Sequence, residues 1–435
     1  MAGEWRELRL GDLVSQRALS ISDGYRVRNV ELGAEGIPFV RGGDIGDGWI
    51  NTTTIDHIRP EFVDRVRAKL ARPGDVAFIT KGTVGRAGRL RPGQPAVVFA
   101  PQVAYWRVLA SDVLDAGFLF YLIQSHAFQS ALNGVKTHGS MVADYVSISL
   151  QHDFVFRFPD IRSQRAIAHI LGTLDDKIEL NRRMKETLEA MARALFKSWL
   201  VDFDPVRAKA EGRDPGLPKP LADLFPDSFE DSELGEIPKG WRARRVSDVI
   251  DFVRGVEPGR SGCNEEERGM RFIRVGEVTG KRSSNLFTEA GSESRCHPGD
   301  ILLALDGTPG AVAYYLDGVF SSGIRKLVSR KADLSQCYIW LLATSDGFQK
   351  TIREHARGTT IQHAGGSVEY FRDIDPGAGV GVAFSTATGS IWERLLGLHR
   401  ENDCLSVVRN ALLPKLISGE LRVKDANAFL GGPGQ

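Results

Sequence analysis

Trp5-Arg-Glu-Leu-Arg-Leu-Gly-Asp-Leu-Val14 returns later in the chain as Trp241-Arg-Ala-Arg-Arg-Val-Ser-Asp-Val-Ile250. Phe39-Val-Arg-Gly-Gly-Asp-Ile45 returns as Phe272-Ile-Arg-Val-Gly-Glu-Val278. Pro73-Gly-Asp-Val-Ala-Phe-Ile-Thr-Lys-Gly-Thr-Val-Gly85 returns as Pro298-Gly-Asp-Ile-Leu-Leu-Ala-Leu-Asp-Gly-Thr-Pro-Gly310. The order is kept, and the spacing stays at roughly 225 to 236 residues. Chance could give one such match; three in order define a duplication. The period is far too long for a solenoid. The 435 residues therefore read as two copies of a whole domain-plus-helix unit.

Each copy opens with a mixed region, 1–158 and 238–375. Short apolar runs are cut there by Gly and Pro, as in Val76–Ile79, Val97–Phe99, Ile301–Leu305 and Ile324–Val328. Such runs predict short strands with turns between them. Helical stretches at Ala116–Leu132 and Leu334–Arg357 make each region a compact α+β domain. Each copy then ends in a long helix. From Arg162 to Leu200 there is no Pro and a single Gly. Ile167, Leu171, Leu174, Ile178, Met184, Leu188, Met191 and Leu195 form a seam close to a heptad. That predicts a spacer helix over 159–200, in which the stretch from Arg162 to Leu200 spans roughly 58 Å at about 1.5 Å per residue. Ile391, Leu395, Leu398, Asn402, Leu405, Val408 and Leu412 predict its counterpart over 391–423, with Pro414 ending or kinking it. Two such seams bury each other most simply. Asn181 and Asn402 sit at or near the seams, where each reads either as a partly solvated polar residue or as a register-setting buried Asn. Six of the nineteen prolines fall between Val201 and Gly240, which marks 201–237 as a linker.

Composition leaves room for this architecture. Apolar residues make up 42% and charged residues 26%, as in ordinary globular proteins. The 56 Lys+Arg and 55 Asp+Glu give a net charge of +1, which excludes a uniformly basic nucleic-acid coat but not local basic faces. Cys263, Cys296, Cys337 and Cys404 lie far apart without a C-x-x-C pair, so they read as free thiols rather than zinc ligands. The N-terminus lacks the apolar run of a signal peptide. No stretch of about 18 apolar residues exists to span a membrane. A cytoplasmic protein is expected.

The scan for chemistry is mostly negative. There is no G-x-x-x-x-G-K-[ST] phosphate loop and no H-E-x-x-H. Gly82, Gly85 and Gly88 have the wrong spacing for a dinucleotide fold and read as a tight turn. No Asn-Pro-Pro-Tyr or Asp-Pro-Pro-Tyr is present to hold a flipped base. One alternative stays open. Pro159-Asp160 followed by Asp175-Asp176-Lys177 resembles the P-D…[D/E]-x-K pattern of metal-dependent nucleases, in which two carboxylates hold Mg²⁺. The second cluster lies within the helix seam, where it reads as a helix face.

The repeated turns suit binding better. The first copy offers Arg41, Lys81, Thr83, Arg86 and Arg89 around glycine-rich loops, with Lys136 and His138 further on. The second offers Arg274, Lys281, Arg282, Asp306, Thr308 and Arg325. Such side chains make phosphate contacts and base-edge hydrogen bonds. Lys81 in one copy faces Asp306 at the same place in the other. A cation and an anion there read different base edges, so two diverged readers imply a bipartite, asymmetric target.

The block Phe158-Pro-Asp-Ile-Arg-Ser-Gln-Arg-Ala-Ile-Ala-His-Ile-Leu-Gly-Thr-Leu-Asp-Asp-Lys-Ile-Glu-Leu-Asn181 resembles the specificity subunits of type I restriction–modification systems. So do Ala194 to Lys209, Leu224 to Phe229, Ser232 to Trp241 and Leu412 to Arg422. The resemblance in layout covers nearly the whole chain. It implies two α/β target-recognition domains separated by two long antiparallel coiled-coil helices, related by a pseudo-twofold repeat. It implies a non-catalytic subunit that binds double-stranded DNA and docks two adenine-methyltransferase subunits and restriction/translocase subunits, with the helices setting the gap between half-sites. The chain itself would carry no cofactor; S-adenosylmethionine, Mg²⁺ and ATP would bind the partners. A protein-binding anti-restriction scaffold is the remaining alternative. The second copy departs from the family pattern at Asp375–Ser390, a Gly/Ala/Ser stretch that is expected to loosen the junction with its helix.

Overall fold

The computed structural model describes residues 5–46, 48–136, 146–259, 262–280, 285–331, 334–358 and 362–423. They form two units, one from the described residues up to 179 together with those from 403 on, the other from those within 180–402.

In the first unit, Leu19–Asp23, Val103–Val108, Val76–Ile79 and Ala87–Arg89 form a four-stranded antiparallel sheet in that order. A second, five-stranded sheet pairs Ile37–Val40 in parallel with Val97–Phe99. Helices Ala116–Gln124 and His126–Lys136 follow. The strand Arg6–Arg9 pairs with Val155–Phe158 just before the first long helix, Ile161–Leu200. The core gathers Phe78, Trp106, Phe118, Phe128 and Phe156 with Leu171 from the first long helix and Leu416 from the second.

The second unit repeats this plan. Ile250–Arg254, Ile324–Ser329, Ile301–Ala304 and Val312–Ala313 form the four-stranded sheet, and Met270–Ile273 runs parallel to Gly318–Phe320. Arg242–Arg245 pairs with Arg372–Asp375 ahead of the second long helix, Gly377–Ser418. Both copies share one glycine constraint. A Cβ on Gly24 would lie 1.9 Å from the Ala100 carbonyl oxygen, and one on Gly255 would lie 2.2 Å from that of Ser321. Only glycine lets these two backbone segments cross so closely.

The helices run antiparallel within each unit. Asp175 meets Arg409 in the first; Asn181 meets Asn402, and Lys185 meets His399, in the second. Asn181 is fully buried, and its Nδ2 donates to Asn402 Oδ1 at 2.9 Å and Glu401 Oε2 at 3.0 Å. The buried reading of this residue is therefore the one observed.

The second long helix and the 201–237 segment differ from the sequence reading. The second long helix starts at Gly377 rather than 391 and ends at Ser418 rather than 423. The atypical Gly/Ala/Ser stretch forms its first turns, with Val380, Phe384 and Thr388 buried against the unit's core. Burial there outweighs the poor helix propensity of glycine. Pro414 lies inside the helix, because Leu416 and Ile417 beyond it are buried in the first unit's core. The 201–237 segment is no free linker. It holds helices Asp204–Ala210 and Lys219–Ala222, a hairpin begins at Phe229, and Phe203, Val206 and Phe225 are buried.

Candidate nucleic-acid interface

In both copies the same two loops come together. One follows the strand that runs parallel in the second sheet; the other is the turn after the Pro-Gly-Asp strand. In the first unit, Arg41 opens the first loop. Its backbone N–H donates to Asp44 at 2.8 Å, and its guanidinium lies over Phe39 and pairs with Asp56 at 2.6 Å. In the second unit, Arg274 does the same: its N–H donates to Glu277 at 2.9 Å and its guanidinium lies over Phe272. A carboxylate three residues on therefore fixes each loop. Both arginines are exposed.

The turn after the Pro-Gly-Asp strand is also duplicated. Gly85 N–H donates to Ile79 O at 3.0 Å, and Gly310 N–H donates to Ala304 O at 2.9 Å. Both glycines have φ of +95°, a conformation that L side chains resist. Gln129 and Gln349 brace the two turns by donating to Gly85 O and Gly310 O. Lys81 and Asp306 occupy the same place in this frame.

The expected residues divide by environment. Lys81 and Thr83 are exposed on the turn. Arg86 points back: its Nη2 donates to Gly42 O at 2.9 Å, tying the turn to the Arg41 loop. Arg89 lies over Phe120 at 5.4 Å. Arg86 and Arg89 are thus braces rather than free cations. Lys136 ends its helix, and its side chain, like His138, Lys281 and Arg282, lies outside the described residues.

In the second unit, Arg274 and Asp306 line one open cleft of about 420 Å³ with Glu257, Ser321, Ser322 and His363. Thr308 is exposed on the turn beside it. Arg325 donates to the Ile324 carbonyl at 3.1 Å and to the carbonyl of Ser322, a cleft-lining residue, at 2.7 Å. Burial, the nearby Arg254 charge and weaker help from Asp306 leave its pKa below the usual arginine value. Sequence reasoning missed His363, whose Nδ1 lies 2.8 Å from Asp306 Oδ1. It also missed Arg254, opposite Arg325 in the strand pair. The only available signal for Arg254 was its position directly before the crossing glycine.

The nuclease constellation does not assemble. Asp160 sits just before the first long helix and accepts from Ser163 N–H and Oγ at 3.0 Å each, which lowers its pKa. Asp175 lies fifteen residues further along, roughly 22 Å up the helix at about 1.5 Å per residue. It accepts from Tyr121 Oη at 2.7 Å and Arg409 Nη1 at 2.9 Å. Two carboxylates so far apart cannot hold one metal ion. Among the described residues no group of three or more His, Cys, Asp or Glu is placed to hold one, and no helix is long and apolar enough to cross a membrane.

No family model matches the chain. It is 23% identical over 484 residues to the type I restriction enzyme HindI specificity subunit of Haemophilus influenzae, covering 96% of this chain and 100% of that one. It is 23% identical over 401 residues to the type I restriction enzyme MjaIX specificity subunit of Methanocaldococcus jannaschii, covering 88% of each. Among solved structures, the S subunit of the type I restriction–modification system of M. genitalium covers 95% of this chain and 96% of its own, with a TM-score of 0.55 and 14% identity. The fold is shared.

Proposed function

We propose that this chain, which resembles type I specificity subunits along nearly its whole length, is the DNA-reading subunit of a type I restriction–modification complex. Each α/β domain reads one half of a bipartite, asymmetric DNA target. The chain recognises; methyltransferase and restriction subunits docked on it catalyse.

The observation that carries this reading is the pair of matched loops. An exposed arginine over an aromatic ring stands in both copies, at Arg41 and Arg274. Beside it the matching position of the turn is inverted in charge, Lys81 against Asp306. A constant cation suits the sequence-independent phosphate backbone, and a divergent neighbour suits base edges. A duplicated scaffold that keeps the first and varies the second is what two different half-sites require.

The test is a binding series on duplexes of varied sequence and salt. The reading expects log affinity to fall linearly with log salt, each neutralised phosphate adding about 0.9 to the slope. It also expects exchange of residues 1–158 for another recognition domain to change one half-site and leave the other. An affinity independent of salt, or a change in both half-sites, contradicts it.

A further inference from the structure

The second recognition domain carries a charge arrangement that the first lacks. Arg254 and Arg325 stand directly opposite each other in the strand pair, where like charges are destabilising. Both donate to the Ser322 carbonyl, at 3.4 and 2.7 Å, and neither holds a salt bridge among the described residues. At the matching register the first domain has Asp23 opposite Ala104. An arginine pair beside the cleft that no carboxylate bridges among the described residues calls for an anion from outside. A DNA phosphate supplies one.

Asp306 lies in the same cleft, its side chain 25% exposed and that of His363 63% exposed. A carboxylate only accepts, so His363 Nδ1 carries the hydrogen in the 2.8 Å contact with Oδ1. That contact, with the backbone bridge between Asp306 and His363, holds the carboxylate in one orientation. Oδ2 has no hydrogen-bond partner among the described residues.

Resting on the function proposed above, we infer that Asp306, positioned by His363, reads the exocyclic amino group of a cytosine in the second half-site. In the major groove only cytosine N4 and adenine N6 donate. Adenine sets its N7 acceptor beside that amine, facing a carboxylate that cannot donate, so cytosine is the better fit. Lys81, at the matching place in the first domain, only donates, and matches the O6 and N7 acceptors of guanine. Arg254 and Arg325 hold the phosphate next to the cytosine and offset the cost of bringing a carboxylate to DNA.

The experiment is selection of duplexes from a randomised pool by the full chain, with the bound fraction sequenced. Wild type selects two half-sites, with a cytosine in the second. Asp306→Asn lowers the preference for cytosine at that one position by roughly tenfold or more and moves it towards adenine, because an amide both accepts and donates. The first half-site stays unchanged in the same molecules, which reports an intact chain. His363→Ala weakens discrimination at the same position, and His363→Gln, which keeps a donor, restores part of it. Arg254→Ala weakens binding to all sequences alike. An Asp306→Asn profile that keeps its cytosine, or that loses affinity equally for every base, overturns the assignment while leaving the specificity-subunit reading intact. A wild-type chain that selects no sequence overturns both.

Discussion

Acidification should loosen the second unit through one histidine. His399 on the second long helix lies flat on Tyr315, with ring centroids 4.3 Å apart. Its Nδ1 is 3.3 Å from Lys185 Nζ, and its Nε2 is 3.2 Å from Tyr314 Oη. Tyr314 in turn donates to Glu189 Oε1 at 2.7 Å. An ammonium only donates, so Nδ1 must accept, and Nε2 carries the hydrogen. A second proton on the ring would face the Lys185 ammonium in a half-buried site. Burial first, and the Lys185 charge second, lower the pKa of His399 to about 4. In the unfolded chain it returns to about 6.5. Unfolding therefore takes up a proton below that value. The contribution is fully present above about pH 6.5 and is lost as the pH falls towards 4. By pH 5 the loss is about 2 kcal/mol, at about 1.4 kcal/mol per pKa unit. His399→Gln isolates it, since other titrating groups act alike in both chains. The assay is urea unfolding followed by tryptophan fluorescence, because Trp340 and Trp392 both pack on Tyr314. The stability gap between wild type and variant should narrow by about 2 kcal/mol from pH 7.5 to pH 5. A gap that stays constant over that range refutes the reasoning.

Asp175→Ala should destabilise the first unit by about 3 kcal/mol, by stripping the partner from the largely buried Tyr121 hydroxyl and from Arg409; calorimetry measures the loss, and no metal-dependent cleavage should be present in wild type for it to abolish. Gly24→Ala and Gly255→Ala place a methyl group against backbone carbonyls that cannot yield, so each should cost about 3 kcal/mol or more in its own unit, read by hydrogen exchange mapped along the chain. Arg41→Ala should weaken binding to all DNA sequences equally and lower the salt slope by about 0.9; a change of preferred base in the first half-site would instead make Arg41 a base reader.

The strands and the duplication were readable because local chemistry specifies them. Pro-Gly-Asp marks the same turn twice: Asp75 caps the Arg72 N–H at 2.7 Å and Asp300 caps the His297 N–H at 2.9 Å. The start of the second long helix was not readable. Gly377 to Ser390 has weak local preference, and its helix rests on the burial of Val380 and Phe384, which only the folded unit supplies. The prolines of 201–237 likewise suggested a free linker, while Phe203, Val206 and Phe225 form part of a core assembled from distant residues. Glycine-loop chemistry pointed to Arg274 and Asp306, which meet in one cleft. It could not separate braces such as Arg86 from exposed groups such as Lys81, because that depends on where a distant carbonyl, Gly42 O, comes to lie. His363 escaped notice for the same reason: its partner Asp306 is 57 residues away.

The most direct measurement is the adenine-methylation map of DNA from cells that express this chain with the modification subunit proposed to dock on it, set against cells with that modification subunit alone. The account predicts one new motif, made of two fixed half-sites around a fixed gap and present only when this chain is present. Identical maps from the two cells, with the chain bound to the modification subunit, would contradict it.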